Sequence, residues 1–76
     1  MEPHHPTPNG VPHLSKRQTE VIRLLAEDRT AKQIGDLLGI SAKTVEFHRH
    51  LIKQRLDVAG TAGIVRYAIR AGLIDG

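Results

Sequence analysis

The sequence has no cysteine and no tryptophan, and only one tyrosine and one phenylalanine. Without cysteine there is neither a disulfide framework nor a thiolate metal site. No apolar run approaches the ~20 residues of a membrane span, and no secretory signal pattern is visible, so a cytoplasmic protein with no membrane contact is expected. A glycine-rich phosphate loop, a nucleophile motif and a paired set of carboxylates are all missing, so no enzyme is expected. His48 and His50 lie about 200° apart on a helix and cannot ligate one metal together. No cofactor and no metal are expected.

All four prolines, Pro3, Pro6, Pro8 and Pro12, lie in residues 1–13, beside Asn9-Gly10 and three of the five histidines. Almost nothing there is apolar. The stretch reads as a flexible tail or linker, and His4, His5 and His13 have no fixed geometry that would hold a metal. Residues 14–76 form one small domain. The net charge is +3 and the first thirteen residues carry only Glu2, so the remainder stands at +4 (+3 minus −1). A basic balance favours polyanionic partners.

What remains reads as four short helices and no strand, an all-α domain. Ser15 and Gln18 form a capping box that opens helix 1, over about 16–27, with Val21, Ile22, Leu24 and Leu25 on one face. Thr30 and Gln33 form a second box, opening helix 2 to about residue 38. Ser41 caps helix 3, from 42 to about 55 or 56. Residues 57–60 are a loop, Thr61 caps helix 4, and Gly72 supplies its C′ position.

The stretch from Ile34 to Val45 carries the sharpest signal. A short helix is followed by a Gly-centred turn, an N-cap and a second helix, which is the layout of a helix-turn-helix. Gly35 sits where the two helices come closest, and Gly39 can take a positive φ at no steric cost. The second helix of such a pair lies in the DNA major groove. At 100° per residue, Ile52 and Leu56 fall within about 20° of Val45 and define a buried stripe. Lys43, Phe47, His50 and Gln54 fall on the opposite face, flanked by Glu46 and Lys53.

An outward Phe47 wastes about 150–250 Å² of burial unless a partner covers it. The pattern points to base contacts by four residues: Lys43 to guanine or phosphate, Glu46 to cytosine N4, Phe47 to a thymine methyl, and His50 to a base or phosphate. Glu46 has a competing use as an ion-pair partner of Arg49 or His50. Lys32, Gln33, Ser41 and Thr44 lie at helix N-termini, which favour phosphate, and Arg49, Lys53 and Arg55 add charge nearby. On helix 4, Ile64, Ala68 and Ala71 form one stripe and Val65, Ile69 and Gly72 another. One belongs in the core, and Val65, Ile69 and Gly72 are the expected dimer surface. The rival reading is a helical protein-interaction module that docks a partner on Phe47 and Leu51.

From Leu14 to Ile74 the chain resembles the LuxR/FixJ-type DNA-binding domain of bacterial transcription regulators. The resemblance rests on Leu14-Ser15-x-Arg17, Glu20-Val21-x-x-Leu24-Leu25-Ala26 and Lys32-Gln33-Ile34. It continues through Leu38-Gly39-Ile40-Ser41-x-Lys43-Thr44-Val45-Glu46-Phe47-His48, Ile52, and Val65-Arg66-Tyr67-Ala68-Ile69-Arg70-x-Gly72-Leu73. It implies a four-helix helix-turn-helix domain of LuxR type that binds double-stranded DNA. In it helix 3 recognises DNA and helix 4 serves a homodimer on DNA. In such regulators the domain usually follows a receiver or ligand-binding domain, so the resemblance leaves two readings, an effector domain of a longer regulator or a stand-alone regulator, and the Pro-rich start favours the first. Departures from the family pattern fall at Gln18, Asp28, Leu51, Asp57 and Gly63. Asp28 and Asp57 replace turn glycines, which suggests slightly different loops before helices 2 and 4, and Gly63 should weaken the start of helix 4.

Overall fold

The computed structural model describes residues 14–75; the tail expected over 1–13, with its histidines, lies outside them. Four helices follow in order: α1 (Lys16–Ala26), α2 (Ala31–Leu38), α3 (Ala42–Leu56) and α4 (Thr61–Arg70). No strand occurs among the described residues.

The helix starts follow from hydroxyl and amide side chains. Ser15 Oγ accepts from the Gln18 amide at 3.0 Å, and Gln18 Oε1 accepts from the Ser15 amide at 2.9 Å. Gln18 is buried, so the neutral amide closes this box without desolvating a charge. Thr30 and Gln33 repeat the arrangement at 3.1 and 2.9 Å. Ser41 Oγ accepts from the Thr44 amide at 3.0 Å. Each cap satisfies first-turn donors that would otherwise lack a partner.

The start of α4 departs from the expectation. Thr61 is its first helical residue and not its cap; the N-cap is Gly60, with no side-chain hydrogen bond. The Thr61 hydroxyl is turned instead toward α3, where it accepts from Arg49. At the other end α4 stops at Arg70, Ala71 is the C-cap, and Gly72 takes φ +79°, the left-handed C′ role.

The core is aliphatic and central. Each helix contributes one fully buried isoleucine: Ile22, Ile34, Ile52 and Ile64. Val21, Leu25, Val45, Leu56 and Ala68 complete the cluster. Burial of one such side chain stabilises by roughly 1.5–3 kcal/mol, so these four isoleucines are the main tie between helices. α3 packs against all three other helices, whereas α2 packs only on α1 and α3. α3 is therefore held along most of its length from behind.

The angle between α2 and α3 is set at the turn. Gly39 adopts φ +73°, ψ +31°, and its amide donates to the Gly35 carbonyl. The Ile40 amide donates to the same carbonyl at 2.9 Å. A Cβ on Gly35 would lie 2.5 Å from the Ile40 carbonyl oxygen and 3.2 Å from the Ser41 carbonyl carbon. The obstacle is thus the backbone of the turn itself.

Two aspartates occupy the left-handed region that favours glycine. Asp28 and Asp57 are at φ +66° and +57°. Aspartate enters this region more easily than most residues, but at a cost relative to glycine. Gly63 has a packing reason: a Cβ there would meet Val58 Cβ at 3.0 Å.

Candidate nucleic-acid interface

α3 divides as the helical wheel requires. Val45, Ile52 and Leu56 are buried at 1, 0 and 4% exposure. Lys43, Glu46, Phe47, His50 and Gln54 are all exposed. Phe47 is 59% exposed, the most exposed large apolar side chain among the described residues. Its ring has a tilted neighbour in His48, with centroids 6.4 Å apart. His48 itself is half-buried, and its Nδ1 has no hydrogen-bond partner among the described residues. The outward face therefore combines a cation, an aromatic ring, an imidazole, an amide and a carboxylate on one continuous surface.

The expected phosphate ligands fall into two groups. Lys32, Gln33, Ser41 and Thr44 cluster at the first turns of α2 and α3. The Gln33 carbonyl oxygen is taken by its capping box, which leaves its NH2 for a ligand. Ser41 Oγ donates to Thr44 Oγ1 at 2.9 Å, so the Thr44 hydroxyl hydrogen stays available to an acceptor. Lys32 Nζ lies 3.5 Å from Asp36, a pair so exposed that phosphate can displace it. Lys53 is half-buried and Arg55 exposed, near the end of α3.

Arg49 sits differently. Its Nε donates to Glu46 Oε1 at 2.8 Å, and its Nη1 donates to Thr61 Oγ1 at 3.4 Å. Its side chain is only 30% exposed. On the wheel Arg49 lies about 40° from Val45, so it faces the seam with α4 more than it faces outward. The pair lines a notch of about 240 Å³ with Asp28, Arg29 and Thr61. Glu46 thus takes its helix-pair option with Arg49, and its second oxygen is still open outward.

Two further surfaces flank the site. On α4, Ile64 and Ala68 are in the core, whereas Val65 is half-buried, Ile69 is 42% exposed and Gly72 is exposed. On α2, Leu37 is 56% exposed, an apolar side chain that the sequence reading did not single out. Leu51 is half-buried, so it does not join Phe47 as a second fully exposed apolar anchor.

An α2–turn–α3 unit with a polar and aromatic outer face defines a helix-turn-helix domain. Residues 12–68 match the family described as bacterial regulatory proteins, luxR family, and the chain belongs to that family. It is 40% identical over 73 residues to the transcriptional regulatory protein LiaR of Bacillus subtilis (strain 168), covering 93% of this chain and 35% of LiaR. It is 41% identical over 64 residues to the spore germination protein GerE of the same organism, covering 84% of this chain and 86% of GerE. The solved structure of transcription factor GerE superposes with a TM-score of 0.76 at 35% identity, covering 79% of this chain and 90% of that one. The chain spans about a third of the length of the larger regulators it matches.

No helix among the described residues is long and apolar enough to cross a membrane.

Proposed function

We propose that this domain reads double-stranded DNA sequence-specifically by laying α3 in the major groove, as the effector part of a cytoplasmic bacterial transcription regulator. The observation that carries the reading is Phe47, 59% exposed in the middle of a helix whose other face is completely buried. A large apolar ring at that position gains from contact with a thymine methyl. Lys43, Glu46 and His50 supply the hydrogen-bonding groups around it. Lys32, Gln33, Ser41, Thr44, Lys53 and Arg55 contact phosphate and fix the register. Arg49 is left out of that set because Glu46 and Thr61 already hold it.

Val65, Ile69 and Gly72 form the contact of a homodimer that assembles on DNA, with recognition helices about 34–36 Å apart on two half-sites. In the longer regulator a receiver or ligand-binding domain controls that assembly.

Duplex titration over a range of salt tests the reading. Three cations per subunit on phosphate, six in a dimer, give a slope of log K against log salt near −5. Binding independent of salt refutes it. Sedimentation on a palindromic duplex tests the dimer, and a strict one-to-one complex counts against it.

A further inference from the structure

The Glu46–Arg49–Thr61 chain raises a question that simple charge counting does not. A carboxylate on a DNA-facing helix is repelled by phosphate, yet Glu46 is on the reading side, with its side chain 52% exposed. Arg49 bonds only Oε1, at 2.8 Å. It therefore offsets the carboxylate's charge and restrains its rotamer, while Oε2 has no hydrogen-bond partner among the described residues. Arg49 is fixed in turn by Thr61, the first residue of α4 and twelve positions along the chain. An i,i+3 ion pair alone is weak and mobile; a third partner on a different helix removes much of that freedom.

We infer that Arg49 is a specificity-positioning residue, which aims the Glu46 carboxylate at a base amino group and contacts no phosphate. The inference rests on the proposed major-groove reading. The bases that fit are those with an exocyclic amino group in the major groove, cytosine N4 first and adenine N6 second. Thr61 has a supporting role, because it ties the aim of Glu46 to the position of α4.

The test compares the unaltered protein with Arg49→Gln, Glu46→Gln, Thr61→Val and the double variant Glu46→Gln/Arg49→Gln. Each is put through unbiased duplex selection and salt-dependent titration, with a thermal melt to establish folding. The double variant keeps the net charge, since one carboxylate and one guanidinium are lost together. If Arg49 positions Glu46, Arg49→Gln loses preference for an amino-bearing base at the same position of each half-site that Glu46→Gln relaxes, by about tenfold. The double variant loses no more than Glu46→Gln alone, and its salt slope and its preferences elsewhere stay unchanged. Thr61→Val relaxes the same position, more weakly. If Arg49 is a phosphate ligand, the double variant instead binds all sequences more weakly and its slope falls by about 0.9 per subunit, which overturns the inference. Retention of the full base preference in Arg49→Gln overturns it as well. The major-groove reading fails separately, if the unaltered protein shows no salt-dependent duplex binding. A double variant that does not fold passes the decision to Glu46→Gln and Thr61→Val, which must relax the same single position for the inference to stand.

Discussion

Replacing Gly35 by valine tests the geometry on which the whole interface depends. An added Cβ already lies 2.5 Å from the Ile40 carbonyl oxygen, far inside normal contact, with Ser41 C at 3.2 Å and Ala42 N at 3.3 Å. All three atoms belong to the backbone of the turn, so no rotamer change relieves the overlap. The turn is also fastened to Gly35, whose carbonyl accepts from the amides of Gly39 and Ile40. Valine adds two methyls beyond the Cβ, and α2 and α3 must separate to admit them. Overpacking of this kind costs about 1–3 kcal/mol and occasionally more, and a rigid backbone obstacle puts it at the upper end. The gain in helix propensity over glycine returns only a few tenths of a kcal/mol.

A domain of this length has roughly 4–11 kcal/mol of total stability, so a loss near 3 kcal/mol is a large part of it. At about 4–8 °C per kcal/mol, Tm should fall by about 12 °C or more. Gly35→Ala is the graded control. It meets the same 2.5 Å overlap but gains about 0.8–1.0 kcal/mol of helix propensity, for a net loss of ~0–2 kcal/mol. Circular dichroism melts and urea titrations measure both variants. A valine variant that melts within ~4 °C of the parent, about 1 kcal/mol, would refute the claim that Gly35 sets the approach of the two helices.

Three other outcomes follow from the same structure. Asp57→Gly should stabilise by up to ~1 kcal/mol, because it removes a left-handed non-glycine residue and a negative charge from the C-terminus of α3; an unchanged or lower urea midpoint contradicts this. Thr30→Ala should cost about 0.5–2 kcal/mol by opening the capping box of α2, and a midpoint equal to the parent's would show the box to be idle. Phe47→Ala should leave stability within about 0.5 kcal/mol while reducing the ratio of specific to non-specific DNA affinity; a large drop in Tm would mean that the ring has a structural role.

Much of this domain was legible in its residues. The three hydroxyl caps, Ser15, Thr30 and Ser41, act within three positions, so sequence spacing alone places them. The inward and outward faces of α3 follow from a period that the backbone hydrogen bonds impose. The left-handed Gly39 follows from the chemistry of the turn. What tertiary structure decided were the matters settled between elements distant along the chain. Thr61 was expected to cap α4, but Arg49 across the helix seam gives its hydroxyl a different use, and Gly60 takes the N-cap position. Asp28 and Asp57 stand at positive φ because the chain must close on a core fixed by four isoleucines, a constraint set between helices and not within either loop. Glu46 had two open roles in sequence, a base acceptor or half of an ion pair. Only the folded molecule shows Arg49 clamped between Glu46 and α4, because a side chain's partner depends on which helix lies beside it.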